Sequence, residues 1–523
     1  MPDTHSGDPD GGAVREPGAV PERGAGGELG AVGDRGVGDL VLAIDQGTSS
    51  TKCLLVDAAG AVVATGSAAV PIRYPRPGWV EQDAGEILDS VLAAASECLA
   101  GVDPGRVRSI GLSTQRESAV VWDKRTGEPA GPVLGWQDQR AQPICDALRD
   151  KGEASRVREI SGLPLDPMFS AAKLRWLLDR TPGAAVGTVD AWLLFALTGR
   201  HRIESGNASR TQLLDVRAGA WSPELLDLFG IPASALPAIT PSSGSLGVVG
   251  ARGGVLDGLP ITAVLGDSHA ALYAHGTLAS RGVKVTYGTG SSVMRLGATD
   301  DTGVCLTVAW NDCLAAEGNI RSSGATVAWL ASVTGVTAAR IAELAAESSS
   351  DGVVLVPAFG GLAAPYWDDN AVGLISGLTL GSGPGQLARA AVESIAHQVT
   401  DVIEAMTPKD TSPAADSSRA ADSSSSGRSP RSGGFSRAAD CLLADGGAAG
   451  NDTLMQIQAD LTGLPVYRAR TTNLSALGVA FLAGGFTPPI EYDEFHPQPG
   501  DFTAQRSAWR AAIARSRERG ASI

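Results

Sequence analysis

Apolar residues in this chain come in short blocks that stop at Gly, Ser and Thr. Leu40–Ile44 and Lys52–Val56 are two such blocks, and between them lies Asp45-Gln46-Gly47-Thr48-Ser49-Ser50-Thr51. That pattern predicts a strand, a tight turn and a returning strand. It occurs a second time, as Val283–Tyr287, Gly288-Thr289-Gly290-Ser291-Ser292 and Val293–Leu296. Glycine lets a backbone come close to a ligand, and Thr and Ser hydroxyls add donors beside exposed N–H groups. Phosphate oxygens suit that chemistry. One such turn in each half of the chain predicts a nucleotide held between two related domains.

Further strands are expected at Ser109–Ser113, Val120–Trp122 and Ile261–Leu265, with helices at Ser170–Leu178 and Ser222–Phe229. Hairpins mixed with crossover helices indicate α/β layers. Val392, Ile395, Val399, Val402 and Met406 recur at helical spacing, and Cys441–Ala444 reads as a strand. Between them, residues 407–437 are Ser-, Asp- and Gly-rich and bury too little apolar surface to order themselves, so they are expected to form an inserted surface loop. Residues 1–38 lack a hydrophobic period and read as a disordered tail. A chain of 523 residues is too long for one core. The expected division is a first domain over 39–276, a second over 277–490 that carries the insert, and a C-terminal extension over 491–523.

Composition narrows the partners. The 57 acidic residues outnumber the 42 basic ones, for a formal charge of −15. A nucleic-acid backbone needs a basic face, so nucleic acid is not expected as a partner. A phosphorylated ligand stays admissible, because Mg²⁺ and local N–H groups can offset its charge. The six cysteines form no C-x-x-C pair and several sit in apolar runs, which predicts buried free thiols in a reducing cytoplasm. No apolar stretch is long enough to span a membrane, so no membrane insertion is expected. A homodimer or homotetramer stays open.

Three polar clusters fall where apolar strands run out, which is where open α/β sheets bind ligands. Thr114-Gln115-Arg116-Glu117 follows Gly111-Leu112-Ser113. A carboxylate accepts from adjacent hydroxyls and a guanidinium donates to ligand oxygens, so Arg116 and Glu117 can grip a polyol; the plain alternative is a surface ion pair. Trp136 follows shortly, as a face for sugar C–H bonds or as a core residue. In Gly266-Asp267-Ser268-His269, Asp267 is either a helix cap or a carboxylate able to take a proton from an attacking hydroxyl, and His269 reads as structural. In Asp445-Gly446-Gly447-Ala448-Ala449-Gly450-Asn451, a Gly-rich turn enters a helix, which suits a nucleotide or serves as a plain cap.

Taken together, the chain resembles the FGGY carbohydrate kinases, and glycerol kinases most closely among them. The matching stretches include AIDQGTSSTKCLLVD (43–57), PGWVEQD (77–83), STQRESAVVWDKRTGEP (113–129), GWQDQR (135–140), NASRTQLLD (207–215), TYGTG (286–290), VPAFGGLAAPYWD (356–368), DGGAAGNDTLMQIQADLTGLPV (445–466) and SALGVAFLAG (475–484). The resemblance covers about residues 40–485. It implies two RNase H-like domains of the actin-like ATPase and sugar kinase type, with a cleft between them. It also implies transfer of the ATP γ-phosphoryl group to a polyol or sugar hydroxyl with Mg²⁺. Carried over by position, Gly47, Thr48, Ser49, Ser50 and Lys52 would face the phosphates, with Asp45 holding Mg²⁺ indirectly. Thr289, Gly324, Gly447 and Asn451 would contact the nucleotide. Arg116, Glu117, Trp136, Met168, Asp267 and Ser268 would hold the acceptor, with Asp267 as general base and metal neighbour.

The departures from the glycerol kinase pattern fall around the acceptor. Met168 stands where those enzymes carry Tyr, Ser268 where they carry Gln, and Ser292 where they carry an aromatic. Lys52 replaces an Arg and Ala328 a Gln near the nucleotide. Smaller side chains imply a wider pocket, for glycerol or for a larger polyol or a xylulose-like ketose. A non-metabolic ATPase of the same fold and a silent sugar sensor are the competing classes. The acceptor set Arg116, Glu117 and Asp267 argues against the first, and the presence of all main phosphate and base residues against the second.

Overall fold

The computed structural model describes residues 38–299, 301–407 and 439–520. The tail expected over 1–38 lies outside these residues except for Gly38, and so does the insert expected over 407–437 except for Thr407.

In the first half, β1 (Leu40–Gln46), β2 (Ser50–Asp57), β3 (Val62–Ala69), β4 (Val107–Thr114), β5 (Ser243–Val248) and β6 (Pro260–Gly266) form a six-stranded sheet in the order β5-β6-β4-β1-β2-β3. Strands β1, β4 and β6 are parallel neighbours, so their carboxyl ends meet at one edge. The second half holds β7 (Gly282–Tyr287), β8 (Ser291–Leu296), β9 (Cys305–Trp310), β10 (Cys313–Ile320), β11 (Cys441–Asp445), β12 (Val466–Ala469) and β13 (Tyr492–Phe495), ordered β9-β10-β8-β7-β11-β12-β13. Each sheet opens with an antiparallel hairpin whose first strand also pairs in parallel with a later one.

The helices needed below are α1 (Ala84–Cys98), α2 (Val189–Thr198), α3 (Asp267–Ala274), α4 (Gly324–Thr334), α5 (Pro384–Met406), α6 (Asp452–Thr462), α7 (Leu474–Gly484) and α8 (Thr503–Gly520). The period-2 alternation of β1 sends Leu42 and Ile44 to one face, where they meet Ile87 and Val91 of α1 and Trp192 of α2. Val41 and Ala43 point the other way, onto Ala270 of α3 and Leu477, Val479 and Phe481 of α7. In the second sheet, Val283, Val285, Val293 and Ile320 pack on Ile395, Val399 and Val402 of α5.

Helix α7 follows β12 in sequence but packs on the first sheet. A Cβ added at Gly478 would lie 1.8 Å from the Ala270 carbonyl oxygen, and one at Gly111 in β4 would lie 2.5 Å from that of Val479. Only glycine permits contacts this close. The helix that begins with Asp267 is thereby wedged in place by a segment from the far end of the chain.

Two expectations are corrected. Both hairpin turns are shorter than the sequence suggested: Asp45, Gln46, Ser50, Thr51, Ser291 and Ser292 belong to strands, because ladder pairing continues to Gln46↔Thr51 and Tyr287↔Ser291. All six cysteines are free, but Cys313, the first residue of β10, is exposed and not buried. Among the described residues, no single helix is long and apolar enough to cross a membrane.

Candidate active site

The carboxyl ends of β1, β4 and β6 deliver Asp45, Arg116, Glu117 and Asp267 to one edge of the first sheet. Ser113 Oγ donates to Asp45 Oδ1 at 2.8 Å. Burial, opposed by that hydrogen bond and reinforced by the Asp267 charge, pushes the Asp45 pKa up to about 6. Asp267 is the first residue of α3, and its Oδ1 accepts the Ser268 backbone N–H at 2.6 Å. Its side chain keeps 38% of its surface exposed, while protein crowds the other sides. That crowding raises its pKa; Arg116 opposes the rise and Glu117 adds to it.

Arg116 is not the surface partner that its neighbour in sequence suggested. Its guanidinium makes a bidentate pair with Glu317 of β10, Nη1 to Oε2 at 2.8 Å and Nη2 to Oε1 at 2.7 Å. Its Nε lies 3.3 Å from Asp267 Oδ1 and 3.9 Å from Glu117 Oε1. Arg210 completes the group: its Nε donates to Glu117 at 2.6 Å and its Nη1 lies 3.1 Å from Glu317. Arg210 and Glu317 are fully buried. Burial alone would raise the Glu317 pKa, but the two guanidiniums hold it well below the usual carboxylate range. Glu117 sits at φ 62°, a left-handed conformation that non-glycine residues adopt at a cost and that functional sites concentrate. His269 lies behind this group with its Nε2 3.3 Å from Arg116 Nη1, and burial beside that cation keeps the ring neutral.

Each of the two hairpin turns is held by bonds within its own half. At the first, Gln82 donates to the Thr48 carbonyl at 2.8 Å, and the half-exposed Trp136 indole donates to Thr48 Oγ1 at 3.2 Å. Gly47 N–H closes the turn on the Ser50 carbonyl at 3.0 Å, Ser49 is exposed at its tip, and Lys52 stands across the ladder from Asp45. At the second, the Thr289 carbonyl accepts the N–H groups of Ser323 and Ala325, and that of Gly288 accepts Gly324 N–H. A Cβ at Gly324 would lie 2.7 Å from the Gly288 carbonyl oxygen, so glycine is required where α4 begins. Gly446, at φ 89°, turns the chain past Tyr287 into the short Gly447–Gly450 helix, and Asn451 Oδ1 caps α6 through Leu454 N–H at 3.0 Å. Buried Lys284 of β7 joins the regions, with Nζ 3.8 Å from Asp445 Oδ2 and 3.5 Å from the Ser268 carbonyl. Met168 lies slightly apart, packed with Leu163, Phe169, Cys305 and Trp367.

Residues 40–274 match the N-terminal domain and residues 283–485 the C-terminal domain of the FGGY family of carbohydrate kinases. The chain belongs to the FGGY family. It is a carbohydrate kinase that uses ATP. An apulose kinase from Pectobacterium atrosepticum is 39% identical over 92% of this chain and 99% of its own. A glycerol kinase from Geobacter sp. (strain M21) is 42% identical over 85% and 90%. The crystal structure of Plasmodium falciparum glycerol kinase with ADP superposes with a TM-score of 0.79 at 25% identity, covering 91% of this chain and 98% of that one. Fold and family thus agree with the motifs.

In this FGGY kinase, Glu317, Arg210, Lys284 and Asp445 join the expected site residues. Arg210, Lys284 and Asp445 stand in stretches already quoted, where nothing marked them as site residues, and Glu317 stands outside all of those stretches. Glu317 is a lone charge inside the apolar run of β10, and a lone charge buried in a strand is itself a signal that a partner waits across the core.

Proposed function

We propose that the chain transfers the γ-phosphoryl group of ATP to a hydroxyl of a polyol or ketose, with Asp267 as general base. The observation that carries this is the grouping of two cleft carboxyls with raised pKa, Asp45 and Asp267, beside the Arg116–Glu117 pair. Phosphoryl transfer needs positioning and charge stabilisation more than covalent chemistry, and the acceptor proton leaves as the oxygen–phosphorus bond forms. In this reading Asp267 would receive it. Arg116, fixed by Glu317, keeps its Nε edge toward Asp267 and orients that carboxylate.

The donor set fits Mg²⁺. Among the described residues no cluster of three metal-ligating side chains occurs. Mg²⁺ is commonly held by one or two carboxylates together with nucleotide phosphates and water, which Asp45 and Asp267 can supply. When bound, it neutralises charge on the phosphates. The turns at Gly47–Ser50 and Thr289 would hold those phosphates, and Gly324, Gly447 and Asn451 the rest of the nucleotide. This reading divides the chain near Gly276 into a part that binds the acceptor and phosphates and a part that binds the nucleotide, working in the cytoplasm.

The acceptor is read as larger than glycerol. Met168, Ser268 and Ser292 replace groups that would close a pocket around three carbons, and the apulose kinase relative points the same way. A missing polar partner costs about 1–3 kcal/mol, or one to two decades in kcat/KM. An ATP-consumption screen over glycerol, four- to six-carbon polyols and ketoses tests this, with the phosphorylated product identified by mass spectrometry. Some larger acceptor should exceed glycerol by at least about tenfold in kcat/KM. Glycerol as the best substrate would overturn the wider pocket, and absence of any phosphorylated product would overturn the reaction.

A further inference from the structure

The face of the second sheet opposite α5 carries a row of polar residues. Strand register puts Thr286 beside Ser292, Ser292 beside Asn319 and Met294 beside Glu317. Side chains alternate along a strand, so Thr286, Ser292, Glu317 and Asn319 share one face. Glu317 and Lys284 show where that face looks, since they reach Arg116 and the Ser268 carbonyl of the first half.

Within this row Glu317 is fully committed to its two guanidiniums, and Asn319 and Ser292 are not. Asn319 Nδ2 donates to Glu317 Oε1 at 3.4 Å, and its Oδ1 accepts from Arg210 Nη2 at 3.4 Å. Ser292 Oγ donates to the same Glu317 oxygen, also at 3.4 Å. Three bonds this long are weak, and each residue is only part-buried. The amide therefore keeps a second N–H and a second lone pair, and the serine keeps acceptor capacity. Both touch the oxygen that holds Arg116 Nη2, and the Nε of that same guanidinium faces Asp267.

We infer that Asn319, with Ser292 beside it, selects the acceptor by hydrogen-bonding a second polar group beyond the hydroxyl that is phosphorylated. The ligand class is a ketose, whose carbonyl or adjacent hydroxyl meets the amide. This rests on the proposed kinase reading and adds a residue and a contact to it. Arg210 and Glu317 orient the amide from behind, so its free N–H and lone pair are presented to the cleft. A three-carbon triol leaves this wall unused, and an aromatic at 292 would cover it.

The test compares the wild type with Asn319→Ala, Asn319→Ser and Ser292→Phe in kcat/KM for glycerol and a panel of five-carbon ketoses. ADP-induced thermal shift serves as a check that each variant keeps its nucleotide site. Asn319→Ala should lower kcat/KM for the best ketose at least tenfold and for glycerol less than threefold, mainly through KM. Asn319→Ser, which restores one hydroxyl, should recover part of the loss. Ser292→Phe should move the ketose-to-glycerol ratio in the same direction. An equal loss on both acceptors overturns the role of Asn319 while leaving the kinase reading intact. A wild type that phosphorylates neither class overturns both, and a variant that no longer responds to ADP passes the decision to Asn319→Ser.

Discussion

At the scale of single residues, chemistry was more legible than support. Asp267 and the Arg116–Glu117 pair announce themselves as charges at the ends of apolar strands. Their anchors do not, because Arg116 and Glu317 are separated by 201 positions and meet only when the sheets face each other. Asp267→Asn keeps size and removes the proton acceptor, so kcat should fall by roughly 10²–10⁴-fold with little change in ADP affinity; near-native turnover would exclude Asp267 as base. Asp45 gives a pH signature. Its pKa is raised from 3.8 to about 6 in the folded protein, so the native state binds the proton more tightly than the unfolded chain. The stability from this group is therefore present below pH 3.8 and is lost as pH rises through about 6. A bound cation favours the ionised form, so Mg·ATP binding near pH 6 should release protons. Titration calorimetry in buffers of different ionisation enthalpy would show this, and Asp45→Asn should reduce it, leaving the share of Asp267.

At the scale of elements, both hairpins and the parallel strands β4 and β6 were readable from apolar runs bounded by Gly, Ser and Thr, and the helix at Ser170–Leu178 from its period. The turn lengths were not, since ladder pairing draws polar residues such as Asp45 and Ser50 into strands against their local preference. The seat of α7 was also hidden, because a uniformly apolar helix does not say which sheet it will join. Gly478 is where that seat is tightest. Gly478→Ala places a methyl 1.8 Å from the Ala270 carbonyl, so α7 and α3 must separate. Overpacking of this kind costs about 1–3 kcal/mol. Because Asp267 begins α3, kcat should fall as well as stability. Urea unfolding and steady-state kinetics check both, and a variant that loses neither would show that the two helices part without moving the base.

At the scale of the whole molecule, two segments lie beyond the obvious motifs, and the physics gives them opposite weights. The insert expected over 407–437 lies, in sequence, between the end of α5 and the start of β11. Its composition offers almost nothing to bury, and loop closure costs little with length, so a short Gly/Ser linker in its place should leave Tm and kcat nearly unchanged. The C-terminal segment was legible only as an extension, because its helix carries a stripe of just Trp509, Ala512 and Ile513 among many arginines. Those three residues are nonetheless buried, packed on Val356, Ala358 and Leu362. Trp509 Nε1 and Arg506 Nη2 both donate to the buried Asp401 carboxylate at 2.7 Å, and Tyr366 adds a third bond at 2.9 Å. Trp509→Ala leaves a large cavity and removes one donor from that carboxylate, a loss of about 3–5 kcal/mol. Truncation after Gly500 goes further, because it also strips Arg506 from Asp401 and leaves a buried charge without its cation. The truncated protein should therefore unfold at much lower temperature, or fail to fold, while the loop-replaced protein melts like the wild type. Equal melting temperatures for all three would mean that α8 is an appendage and that its burial contributes nothing to the stability of the second half.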